Sequence, residues 1–200
     1  MRPPFFLMST RPALFLGVDP GLNRTGYALL ERTADGPRLR EGGIVRSTAK
    51  RPLAERLREI GEGLGEVVSQ YQPEVLAIEQ VFSHAKFPKT AILMAHARGV
   101  ILHVAASADV PVVHYTPRQI KRLLTGSGTA TKEQVQRAIS RELGLDRILE
   151  PNDVADAFAV ALCHYHSVRL PSALQGLGIG ANSGDEDLDE DDIGEEDGDE

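Results

Sequence analysis

Residues Ala13–Glu31 read ALFLGVDPGLNRTGYALLE, and this stretch decides the fold. Ala13 to Asp19 is an apolar run of strand length that ends in a carboxylate, and Pro20-Gly21 breaks it. Thr25 to Glu31 follows as a second strand and Arg38 to Arg46 as a third, in which Gly42-Gly43 suggests a bulge. Short turns join the three, which predicts an antiparallel meander.

Working outward, Leu53, Leu57, Ile60, Leu64 and Val67/Val68 recur at a spacing of three or four, so Pro52 to Tyr71 is an amphipathic helix. Glu74 to Glu79 (EVLAIE) is a second short strand that ends in an acid. Thr90 to Ser107 is apolar nearly all round and rich in small residues; a core helix is the expectation and a dimer interface the alternative. Val110 to Tyr115 is a fifth strand. Thr116-Pro117-Arg118-Gln119 and Thr131 to Gln134 both have the form of a capping box, and each starts a helix, to Leu124 and to Leu143. Pro151 to Val168 is the last helix. The order predicts an α/β domain with a five-stranded mixed sheet flanked by helices.

The chain has 200 residues, 42% of them hydrophobic, enough for one domain with a real core. Its formal net charge of −7 argues against a nucleic-acid partner, but that charge is unevenly placed. Asp185 to Glu200 holds twelve acids and no bases, so residues 1–184 keep seventeen acids against 22 bases, a formal +5. The division that follows is a flexible N-terminal extension over 1–12, a domain over 13–170 and an acidic tail over 171–200 that cannot bury a core. Its single cysteine, Cys163, excludes an internal disulfide framework and a four-cysteine zinc site. No continuous apolar run reaches the ~18 residues that span a bilayer, and the N-terminal cluster Phe5-Phe6-Leu7 is too short for a secretion signal. The expectation is a soluble cytoplasmic protein with no membrane contact.

Four carboxylates stand where a core has no need of them. Asp19 and Glu79 end apolar strands, where an ionised carboxylate costs several kcal/mol unless it is partnered. In open α/β sheets the carboxyl ends of strands are where ligands bind. Asp153 and Asp156 are three apart at the start of an apolar helix, on one face. Singly, each has an ordinary explanation: a turn Asp, a loop Glu, acids at the positive end of a helix. Converging, the four would repel unless a hard cation neutralised them. Mg²⁺ prefers oxygen ligands, and two such ions ~4 Å apart clamp the attacking and leaving oxygens of a phosphodiester displacement.

The segments VDPGLNRTGYALLE, LAIEQVF, HARGVILHVAA, TPRQIKRLLTGSGTATKEQVQ and NDVADAFAVALCHYH, in this order from about Leu14 to His166, together resemble the RuvC-type Holliday-junction resolvases. The resemblance implies a ribonuclease-H-like fold, a homodimer and a structure-selective endonuclease that binds the DNA four-way junction. It implies symmetric nicking of two strands of like polarity, with ligatable 5′-phosphate ends, beside a branch-migration complex. It implies that Asp19, Glu79, Asp153 and Asp156 carry Mg²⁺ (with Mn²⁺ as a substitute) and the hydrolytic water. Phe82 falls where the family stacks an aromatic on unpaired bases, and Lys121 and Lys132 fall on basic positions near the cleaved phosphate.

The residues themselves agree with these roles. An exposed Phe82 ring could stack on a base, worth ~1–3 kcal/mol; the alternative is a ring folded onto the core. Arg118, Lys121, Arg122, Lys132 and Arg137 fall close together in the chain. Alone they would be a solvated helix face; beside four acids they supply phosphate positioning. His164 lies roughly 12 Å along its helix from Asp156, too far to join the acids, so His164, Cys163 and His166 read as helix-end packing. Three rivals remain. A sugar-kinase or actin-type phosphotransferase needs a second lobe and a second glycine-rich segment. A non-catalytic junction-binding protein has no use for four acids. Another ribonuclease-H-like nuclease, on hybrids or duplexes, differs only in its site.

Overall fold

A computed structural model describes residues 13–80 and 88–169. Residues 1–12, 81–87 and 170–200 lie outside it, and with them Phe82, the N-terminal extension and the acidic tail. The described residues form strands β1 (Ala13–Asp19), β2 (Arg24–Thr33), β3 (Gly36–Arg46), β4 (Val75–Glu79) and β5 (Val112–Tyr115), with helices α1 (Leu53–Tyr71), α2 (Pro88–Ser107), α3 (Pro117–Thr125), α4 (Lys132–Glu142) and α5 (Asn152–Ser167).

The strands make one sheet in the order β3-β2-β1-β4-β5. β1, β2 and β3 are the antiparallel meander that the short turns dictate. β4 is parallel to β1 and β5 is parallel to β4, because α1 and α2 carry the chain back across the sheet. This is the five-stranded mixed sheet expected from the order of elements. Alternation along the strands sorts side chains to two faces. Leu14, Leu16 and Val18 of β1, with Leu76 and Ile78 of β4, pack against Ile60, Leu64 and Ile101 of α1 and α2. Phe15, Val75, Ala77, Val113 and Tyr115 point the other way, onto α5 and the α3–α4 pair. Both anticipated capping boxes form: the Thr116 and Thr131 hydroxyls accept from the N–H groups of Gln119 and Gln134, whose side chains accept in return.

Two expectations need correction. The bulge is not at Gly42-Gly43: the β2–β3 register slips between Leu29 and Leu30, paired to Glu41 and Leu39, so Arg40 is the extra residue. The glycines serve packing instead. A Cβ on Gly42 would stand 2.7 Å from the Phe158 ring of α5, and one on Gly43 would stand 2.6 Å from the Tyr27 hydroxyl.

α2, expected to be a core helix, is core on one side only. Ala97, Ile101 and Ala105 are buried, whereas Ala95, His96, Gly99 and Ala106 are exposed and Ile92 is 57% exposed. Averaged over residues Lys89–Ser107 its mean hydropathy is 1.3, long and apolar enough by composition to cross a membrane, with 22% of the segment buried. The absence of an unbroken apolar run had hidden this, because Lys89, His96, Arg98 and His103 interrupt the run without lowering the average much.

Candidate active site

Strand parity places the first two acids. Asp19 is two steps beyond Gly17 and Glu79 two beyond Ala77, so both carboxylates leave the sheet on the α5 side, at the same end of adjacent parallel strands. α5 supplies the other two from its first turn and a half. Its approach is unusually close because the sheet offers bare glycines beneath it. A Cβ on Gly17 would stand 2.2 Å from the Ala157 carbonyl oxygen, and one on Gly26, the β2 partner of Asp19, 2.0 Å from that of Asp153. The helix therefore meets the strands at backbone contact, and its acids arrive beside those of β1 and β4.

The electrostatics record that convergence. Burial lifts the Asp19 carboxyl from its ordinary 3.8 to about 7, with Asp156, Glu79 and Asp153 adding repulsion in that order and Lys132 opposing it. Glu79 is also pushed up, by burial and then by Asp156, against the pull of Lys121 and Lys132. The cluster is thus short of positive charge.

Two cations meet it directly. Lys132, the first residue of α4, places Nζ 2.8 Å from Asp156 Oδ2. Arg24, the first residue of β2, places Nη2 2.7 Å from Asp153 Oδ2. A cleft of about 320 Å³ opens between α3, α4 and α5, lined by Glu79, Lys121, Lys132 and Asp156 over a floor that includes Ile120 and Val135.

The remaining expected residues divide. Lys121 and Lys132 reach this cleft. Arg118 does not line it: its side chain lies across the α3–α4 loop, 2.7 Å from where a Gly128 Cβ would be. Arg137 is paired with Glu133 at 2.6 Å on the exposed side of α4. Cys163 is fully buried and His164 is 6% exposed, with its Nδ1 2.9 Å from the Tyr115 hydroxyl and its pKa pushed down by burial to about 4. His166 pairs with Glu142 of α4 at 2.7 Å. Arg24 is the site residue that sequence reasoning missed. Its only signal was a cation in the turn after Asp19, and turn cations are common.

An all-carboxylate donor set suits a hard divalent ion, and the raised Asp19 pKa marks a site that gains from one. Yet among the described residues no three His, Cys, Asp or Glu side chains converge tightly enough to make a ready coordination shell. The helix acids are turned toward Arg24 and Lys132 instead. The arrangement can hold and orient a phosphodiester: carboxylates for cations at one end of the cleft, ammonium groups for phosphate oxygens along its wall.

A family profile described as "Crossover junction endodeoxyribonuclease RuvC" matches residues 15–164. A protein of that description from Rhodopirellula baltica is 49% identical over 170 residues, covering 82% of this chain and 94% of its own length. One from Syntrophomonas wolfei is 41% identical over 160 residues, covering 80% and 92%. Among solved structures, Thermus thermophilus RuvC in complex with Holliday junction substrate matches with TM-score 0.73 at 34% identity, over 78% of this chain and 95% of that one. A second solved chain, described as "Thermus thermophilus RuvC structure", gives TM-score 0.72 at 33% identity over the same shares.

Proposed function

The chain belongs to the crossover junction endodeoxyribonuclease RuvC family of metal-dependent nucleases, and from that premise we propose how its own residues resolve a Holliday junction. It is an endodeoxyribonuclease, a hydrolase acting in recombination and repair. Asp19, Glu79, Asp153 and Asp156 hold divalent ions, Mg²⁺ at two per site, with Mn²⁺ able to substitute. Held by these four carboxylates, such ions would supply positive charge for the scissile phosphate and acidity for the attacking water. Lys121 and Lys132, on the cleft wall, seat the phosphate and offset charge as it develops. Phe82 stacks on an unpaired base near the crossover, and Arg118 contacts phosphate beyond the cleft.

The observation that carries this reading is the convergence of four acids on one place, with Asp19 at the end of a core strand, its carboxyl pushed up first by burial and then by repulsion from Asp156, Glu79 and Asp153. A fold has no use for that arrangement unless a cation completes it.

Two symmetric nicks in strands of like polarity, leaving 5′-phosphates, need two such sites. We assign the second to a second copy of this chain, joined through the exposed apolar side of α2 around Ile92, Ala95 and Gly99. The domain spans 13–170, between an N-terminal extension and an acidic tail, and the protein works in the cytoplasm beside a branch-migration complex.

The test is incubation with a synthetic four-way junction and a matched linear duplex in Mg²⁺. Paired nicks in the junction alone, lost in Asp19→Asn, are expected; equal cutting of both substrates would overturn the reading.

A further inference from the structure

The four acids are not treated alike by their neighbours. Asp19 and Glu79, on the strands, make no ion pair at contact distance among the described residues. Asp153 and Asp156, on α5, each carry a cation: Arg24 at 2.7 Å and Lys132 at 2.8 Å. Lys132 already has a role in seating phosphate. Arg24 has none.

Its position is built. Arg24 and Gly26 share one face of β2, and Gly26 is the residue whose missing side chain lets the Asp153 backbone close on the sheet. The same contact delivers the guanidinium to the carboxylate. Arg24 Nε is shielded from solvent and has no hydrogen-bond partner among the described residues. An ion pair between groups 38% and 28% exposed contributes little to stability, and an unmet shielded N–H costs more than such a pair contributes. Folding alone does not explain why Arg24 is held there.

We propose that Arg24 is the resident counter-cation of Asp153 and a positioning residue of the metal site. It fixes that carboxylate against the sheet and holds down the site's affinity for divalent ions. This rests on the reading that the four acids bind such ions. The first clause concerns geometry: a carboxylate tethered through Oδ2 keeps one orientation toward its three neighbours. The second concerns charge: a positive group beside Asp153 makes the potential at the cluster less negative, so an arriving ion gains less. Loss of the guanidinium then has two effects of opposite benefit, tighter metal binding and slower chemistry. That signature separates the role from support of the fold, whose loss weakens both.

The test uses the full chain stripped of metal, titrated calorimetrically with Mn²⁺ without DNA, and single-turnover junction cleavage at saturating Mg²⁺. Arg24→Gln and Arg24→Met are expected to bind Mn²⁺ about three- to tenfold more tightly and to cleave about tenfold more slowly. Arg24→Lys, which keeps the charge, is expected to stay within about twofold of the parent in Mn²⁺ affinity. Weaker Mn²⁺ binding in both uncharged variants overturns the proposal in favour of a structural role. Unchanged Mn²⁺ affinity with weaker junction binding overturns it in favour of a phosphate contact. Failure of the underlying reading looks different: the parent then takes up no Mn²⁺, or Asp19→Asn takes it up equally well.

Discussion

The two faces of the sheet are built to different rules. Toward α1 and α2 the strands present Leu14, Leu16, Leu29, Leu76 and Ile78, and a layer of aliphatic side chains spaces helix from sheet. Toward α5 they present Gly17 and Gly26, where the helix comes down to backbone contact, and Gly42, which makes room for the Phe158 ring. A layer of side chains can repack when one member shrinks; a backbone contact has nothing to repack. The face that must hold four carboxylates in fixed relation has the rigid contact, and the face that needs only stability has the cushion.

Four measurements would break or sharpen that contrast. The largest effect is on the α5 face, in chemistry: Asp19→Asn should reduce junction cleavage by ~10³-fold, about 4 kcal/mol of barrier, while the metal-free variant melts no lower than the parent. Cleavage within tenfold of the parent would remove Asp19 from the reaction. Next, on the cushioned face, Leu64→Ala should cost about 3 kcal/mol in urea unfolding, because its side chain is wholly buried, yet leave cleavage at low temperature within about twofold. A selective loss of cleavage there would show the two faces to be coupled.

Third, Gly26→Ala should cost about 2 kcal/mol of stability through overpacking and, unlike Leu64→Ala, slow cleavage at least tenfold as α5 is pushed from the strands. Full activity in a folded Gly26→Ala protein would refute the rigid-contact account.

The last measurement is of pH dependence. Folded, metal-free chain keeps the Asp19 proton up to about pH 7, against 3.8 as the ordinary value expected when unfolded. Between those values the folded state binds the extra proton, so this group's contribution to stability falls as pH rises from about 4 to 7 and is level above it. Thermal melts of the metal-free chain at pH 5, 6 and 8 should decline accordingly, less so in Asp19→Asn, and excess Mg²⁺ should raise the melting temperature more at pH 8 than at pH 6. Equal slopes in both proteins would assign the dependence to another group.

What the sequence revealed, and what it hid, follows the range of the forces involved. β1 was legible because an apolar run closed by Asp-Pro-Gly specifies itself locally, and both threonine capping boxes were legible because their hydrogen bonds span three residues. The gathering of Asp19, Glu79, Asp153 and Asp156 was legible from strand ends and helix spacing. Arg24 was not, because its contact with Asp153 depends on how closely β2 and α5 approach, which Gly26 sets from a distance in sequence. The glycine pair in β3 suggested a bulge for the same reason: a glycine needed for a ring of α5 reads in isolation as a glycine needed for the backbone. The exposed side of α2 was hidden because an all-apolar helix carries no phase to say which side faces the core.

The close seating of α5 has one more consequence. A helix buried along most of its length, with two of the acids in its first turn and a half and its last turn tied to α4 through His166 and Glu142, does not tilt to meet a ligand. The opening between strand acids and helix acids is a fixed gauge, set by the thickness of a glycine. Whatever adjusts when substrate arrives must then be the substrate, and a branched DNA, flexible at its crossover, can bend a phosphate into such a gauge far more cheaply than a continuous duplex can.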